Sequence, residues 1–152
     1  MVKKEQNHIN PEKIHLLQIE PIEVSISDLK EPFNNEEAID MKIAHVSAHN
    51  LDEKGFLFGL DLILTLTDRE TQNTARFRYN FHYTIDNLED MYIIKKGGKP
   101  TFAKIFGATL AGISYSTLRG IIFEILLNSS WGSITIPVIN PTNILENWIE
   151  SE

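Results

Sequence analysis

Residues 56–85 read FLFGLDLILTLTDRETQNTARFRYNFHYTI, and the alternation in this stretch decides the fold. Phe56, Phe58, Leu60, Leu62, Leu64 and Leu66 occupy every even position, whereas the odd ones include Gly59, Asp61, Thr65 and Thr67. Beyond the polar turn DRETQN, Phe77, Tyr79, Phe81, Tyr83 and Ile85 share one parity, while Arg76, Arg78, Asn80, His82 and Thr84 share the other. Successive side chains of a strand point to opposite faces, so a period of two predicts two strands, each with one apolar and one wet face. The turn joins them as an antiparallel hairpin.

Upstream, HLLQIEPIEVSI (15–26) changes phase: Leu17 and Ile19 have one parity, and Ile22, Val24 and Ile26 the other. A bulge at Glu20 and Pro21 reconciles the halves, and a proline inside a strand favours an edge. After the polar connection DLKEPFNNEE, Ile39, Met41 and Ile43 alternate with Asp40, Lys42 and Ala44, the pattern of a half-buried strand.

Downstream of KKGGKP (95–100), Phe102, Ile105, Phe106, Leu110 and Ile113 recur at helical spacing, weakened by Gly107 and Gly112. A cap at Ser114 or Ser116 starts a second helix to about Leu127, with Leu118, Ile121, Ile122, Ile125 and Leu126 on one face. Ile134, Ile136 and Val138 form a short extended piece, and Thr142 or Asn143 caps a last helix through Trp148. Strands followed by helices predict an α+β domain: a four-stranded antiparallel sheet with helices packed on one face. The expected organisation is a flexible tail over 1–13 and a single domain over 14–152.

The 152 residues suffice for one core. A net charge of −7 gives no electrostatic reason to expect nucleic acid or anionic lipid as partner. Cysteine is absent, which excludes disulfides and thiol nucleophiles and agrees with a reducing cytoplasm. The N-terminal MVKKEQNHINPEK has no apolar h-region, and the longest apolar run, GIIFEILL, contains Glu124 and is too short to span a bilayer, so a soluble cytoplasmic protein without membrane insertion is expected.

No catalytic constellation emerges. In GISYS (112–116) the second glycine of a nucleophile elbow is replaced by Ser116, and no strand precedes it. KKGGK lacks P-loop spacing. His45 and His49 are four apart but on a strand, where that spacing does not converge on a metal. Neither an enzyme nor a cofactor or metal site is expected.

The segments GATLAGISYSTLRG (107–120) and IPVINPTNIL (136–145) resemble the C-terminal half of the SecB family of protein-export chaperones: a Gly-Ala start, an aromatic at Tyr115, an arginine at Arg119 and a Pro-Val-Asn-like turn into the last helix. The strand order upstream is similar too, so the resemblance covers roughly 14–149. It implies an ATP-independent holdase that binds unfolded or preprotein clients in an apolar groove, assembled as a homotetramer, a dimer of dimers. The client groove so implied contains Ile39, Met41, Ile43 and Ile144, with Trp148 as a neighbour. The implied subunit interface contains Tyr115, Arg119 and Ile122. Implied partners are unfolded polypeptides, with either SecA or a toxin–antitoxin protein. Arg76 and Arg78 stand where export members present acidic residues to SecA, so a chaperone dedicated to one partner such as an antitoxin, without SecA docking, fits equally well. Apolar residues at period two are also ordinary core residues, and Arg119 is equally explained as a helix-surface charge.

Overall fold

A computed structural model describes residues 8–146. Four long strands, β1 (Ile14–Ile26), β2 (Ile39–Asn50), β3 (Gly55–Leu66) and β4 (Asn73–Ile85), form one antiparallel sheet in the order β1-β4-β3-β2. A short hairpin of β5 (Tyr92–Ile94) and β6 (Pro100–Phe102) follows, then helix α1 (Lys104–Leu127) and helix α2 (Pro141–Glu146). The fold class expected from the sequence is the one observed.

The β3–β4 hairpin pairs as its alternation requires: Phe56 lies opposite Tyr83, Phe58 opposite Phe81, Leu60 opposite Tyr79 and Leu62 opposite Phe77. All eight are buried. Across the opposite face run the polar partners, where Arg76 donates to both carboxylate oxygens of Asp61 at 3.1 and 2.7 Å. β1 is an edge strand, as Pro21 suggests, but its bulges fall at Leu17 and Ile22 on either side of the expected site. Pro21 itself stays in register opposite Tyr79. Two single-residue insertions shift the phase where the sequence reading placed one.

The connection 27–38 carries the chain from one edge of the sheet to the other. Trp131 Nε1 donates to the Ser27 carbonyl at 2.8 Å and Leu29 N–H to Ser130 Oγ at 2.8 Å, which ties the start of the crossover to the end of α1. Arg69, in the β3–β4 turn, holds the rest. Its guanidinium donates to the Glu37 carboxylate at 3.0 and 2.9 Å and to the carbonyls of Glu31 and Pro32. That pairing holds the Glu37 carboxyl below its usual range.

Where two helices were expected there is one. Gly107 and Gly112 do not break α1; they let α2 approach it, because a Cβ at Gly112 would lie 3.2 Å from Pro141 Cγ and one at Gly107 3.4 Å from Leu145 Cδ1. Ser114 is no cap: its hydroxyl meets the buried Tyr83 hydroxyl at 2.7 Å and locks α1 onto β4. Burial there raises the Tyr83 phenol to about 12. Unbroken, α1 is long and apolar enough to cross a bilayer, which corrects the expectation from the sequence. It is the core helix, with Phe106, Leu110, Leu118, Ile122 and Leu126 completely buried.

α2 starts two or three residues earlier than expected, with Asn140 Oδ1 accepting from Thr142 N–H at 3.0 Å and Pro141 at the first helical position. The 134–138 segment joins no strand ladder, yet Ile134 and Ile136 are buried. Before β1, Asn10 caps a turn at Pro11–Lys13 and Ile9 packs on the core, so residues 9–13 of the expected tail are structured.

Beneath α2 lies His45, 1% exposed, its ring stacked on Phe58 at 5.3 Å and 6°. Burial pushes its pKa below the ordinary histidine value, and a hydrogen bond with the Ile144 backbone opposes the shift. A lowered folded-state pKa means that the unfolded chain binds the proton more readily, so this contribution is complete above about pH 6.5 and declines below it. The melting temperature of His45→Leu should therefore fall less than that of the unmodified protein between pH 7.5 and 5.5, measured by circular dichroism. Gly112→Leu should force α2 off α1 and destabilise the fold by about 1–3 kcal/mol in urea titration. Gly120→Leu, at a position with nothing within 4 Å of an added Cβ, should not.

Candidate functional site: the apolar margins of the sheet

The residues weighed for chemistry are dispersed. Ser116 is exposed in the middle of α1, with no strand-to-helix elbow around it. KKGGK is the tip of the β5–β6 hairpin, where Gly97 and Gly98 take φ of 109° and 80°. His45 is buried, and His49 packs on Phe102 at 5.4 Å. Among the described residues no group of three or more His, Asp or Glu is placed to hold a metal. The feature that stands out is apolar surface.

α1 lies over β3 and β4, and α2 lies against α1 and β2. Among the described residues neither helix is laid over β1. The register puts Ile14, Leu16, Ile19, Val24 and Ile26 opposite Ile85, Tyr83, Phe81, Phe77 and Ala75, and cross-strand partners share a face. These β1 residues therefore continue the core face past the edge of the helix layer. Leu16, Ile19 and Val24 are 36%, 38% and 42% exposed, and Ile22 and Leu17 at the bulges are 44% and 64% exposed. At one end the strip deepens into a cavity of about 370 Å³ between Ile14, Leu16 and Tyr83 on the sheet and Thr109 and Ile113 on α1.

β2 forms the opposite margin. Ile39, Met41 and Ile43 lie opposite Leu66, Leu64 and Leu62, so they too belong to the helix-side face, and all three are half-buried against the core. The two edges differ in backbone. β2 pairs with β3 over its full length without a register shift, whereas β1 is interrupted by two bulges and Pro21. A regular edge offers a run of unpaired N–H and C=O groups to an added strand; bulges and proline blunt one.

The other residues of the implied site sit differently. Ile144 is 1% exposed, under α2 in the core. Trp148 lies outside the described residues. The implied interface residues face into the protomer: Ile122 is completely buried, the Tyr115 hydroxyl donates to the Pro137 carbonyl, and Arg119 Nε donates to the Ile136 carbonyl at 2.7 Å. Tyr115 and Arg119 thus strap the 134–138 segment to α1. The helix face left toward solvent is almost free of charge, with Ile105, Ser116, Gly120 and Leu127 exposed and Glu124 its exception past Lys104.

The strip on β1 was missed in the sequence because its two parities looked like one kinked apolar face. Its signal was the proline, which marked an edge.

No family model and no curated protein matches the sequence. Among solved structures, the chain is similar to the SecB-like chaperone Rv1957 of Mycobacterium tuberculosis, which was solved in complex with a ChAD peptide from the antitoxin HigA1 (Rv1956). The TM-score is 0.61 at 10% identity, over 84% of this chain and 91% of that one. The fold is therefore SecB-like.

Proposed function

We propose that the protein is a molecular chaperone that holds non-native polypeptide without ATP, with β2 as the edge that receives the client. The observation that carries this reading is the apolar face of the sheet at its two margins, which the helices leave exposed along β1 and only partly cover along β2. Apolar surface of this extent on a soluble domain marks a place where another chain binds. An extended client adds main-chain hydrogen bonds along the regular β2 edge and lays alternate apolar side chains over Ile39, Met41 and Ile43. Methionine suits many partners, because its flexible thioether fits differing shapes.

The β1 strip and the uncharged outer face of α1 supply self-association, up to a dimer of dimers. The interrupted β1 edge is poor for strand addition but rich in exposed side chains, which suits a fixed partner of fixed shape. The work asked of the protein is binding rather than bond-making, so it is not an enzyme. A cytoplasmic location, which a cysteine-free chain permits, belongs to the same proposal.

One specific observation favours a narrower client range. On the wet face Arg76 is held by Asp61 and lies 3.7 Å from Glu23, and Arg78 is exposed, so β4, where the two arginines fall, itself carries basic and no acidic groups. Together with the antitoxin peptide bound by the structural neighbour, this supports a chaperone dedicated to an antitoxin-like segment over one that delivers preproteins to SecA.

The two margins are separable by mutation. Ile39→Ser combined with Met41→Ser should weaken binding of a permanently unfolded client by at least about tenfold, some 1.4 kcal/mol, with oligomer mass unchanged. Leu16→Asp combined with Val24→Asp should reduce the mass seen by light scattering while leaving each protomer folded. Client affinity unchanged in the β2 variant, or a wild-type protein that binds no unfolded chain, would overturn the assignment. Selectivity is read by competition: a dedicated chaperone releases an antitoxin segment only slowly to an excess of unrelated denatured protein.

A further inference from the structure

The β5–β6 hairpin has no part in the client site, and its chemistry differs from the rest of the molecule. From Met91 to Phe123 the chain carries Lys95, Lys96, Lys99, Lys104 and Arg119, and none of its 21 acidic residues. Three of those lysines crowd the tip of the hairpin. Among the described residues, Lys95, Lys96 and Lys99 make no ion pair, in a protein whose net charge is −7. Beside them Ile93 and Ile94 are 41% and 60% exposed. A turn kept only for solubility has no use for two exposed isoleucines.

The base of the hairpin, by contrast, is fixed. Phe102 packs on Tyr92 at 5.5 Å, on Phe56 at 5.1 Å and on Phe106 at 5.6 Å, and Ala103 N–H donates to the Met91 carbonyl at 2.8 Å. The arm is anchored in the core at one end and basic and apolar at the other. Among the described residues β5 pairs only with β6, which leaves the other edge of Tyr92–Ile94 without a strand partner, while Pro100 removes a donor from the β6 side.

We propose that this hairpin is a docking arm for an acidic, apolar-flanked extended segment of a partner protein. Charge complementarity selects the occupant. Lysines at the tip attract carboxylates, the free β5 edge accepts a short strand, and Ile93 and Ile94 receive its apolar side chains. An anionic membrane is the poorer match, since lipid recognition uses about four to eight clustered basic residues and the remainder of this acidic chain is repelled from such a surface. The arm is separate from the proposed client edge and operates whether or not that edge holds unfolded chains.

The test uses the whole protein and a fluorescent peptide that alternates glutamate and isoleucine, with a lysine-for-glutamate peptide as control. Anisotropy should report binding of the acidic peptide alone, weakening as salt is raised from 0.05 to 0.5 M. Lys95→Glu, Lys96→Glu and Lys99→Glu together should reduce that affinity at least about tenfold, with melting temperature and unfolded-client binding unchanged. Equal binding of the acidic peptide by the charge-reversed protein would overturn the proposal, as would no binding by the wild type. So would sedimentation with phosphatidylglycerol vesicles at concentrations where the peptide does not bind. Loss of client holding with an intact peptide response would count against the chaperone reading and leave the arm standing.

Discussion

A helix is about 10–12 Å across and neighbouring strands lie about 4.8 Å apart, so one helix covers roughly two strands of a sheet. That ratio governs this molecule. The sheet has four strands of 12 or 13 residues, and the described residues supply one helix of 24 residues and another of six. α1 settles over the two central strands, where the apolar side chains are largest, and the Tyr83–Ser114 contact fixes it there. α2 then has room only on the β2 side, close against Gly107 and Gly112. β1 is left with its apolar side chains half in water, and that exposure follows from the shortage of helix among the described residues.

The same shortage explains why the two edges are built differently. An exposed apolar edge strand invites indiscriminate pairing, and β1 carries two bulges and a proline that limit it. β2 carries none of these devices, but its apolar side chains are half-buried beside α2, and its outward residues include Asp40 and Lys42. One edge combines generous side-chain exposure with an interrupted backbone, and the other a continuous backbone with modest side-chain exposure. The proposed self-association and the proposed client binding divide along this difference.

Much of this was legible in the sequence, and the lapses have particular causes. The hairpin of β3 and β4 could be read residue by residue, because both strands are half-buried and alternation is strictest there. The edge position of β1 followed from Pro21. α1 was divided because glycine lowers helix propensity by about 1 kcal/mol, yet Gly107 and Gly112 are repaid by the close approach of α2, a tertiary effect that no local pattern contains. The β5–β6 hairpin went unread because three residues per strand are too few for a period to show. For the site, Ile39, Met41 and Ile43 lie on one face as expected. Ile144, assigned to the groove, and Tyr115 and Ile122, assigned to the interface, rested on the family resemblance; they are buried within the protomer, and a motif shared in sequence does not say which neighbour a side chain meets.

The central claim is that a non-native chain is received along the half-covered margin at β2. Methyl NMR of isoleucine-labelled protein, titrated with an unfolded client, tests it directly, since isoleucines are spread over every surface at issue. The account predicts perturbation concentrated at Ile39 and Ile43, with the buried Ile134 and Ile136 little affected. Perturbation confined to Ile63 on the wet face, or to Ile93 and Ile94 on the hairpin, would contradict it.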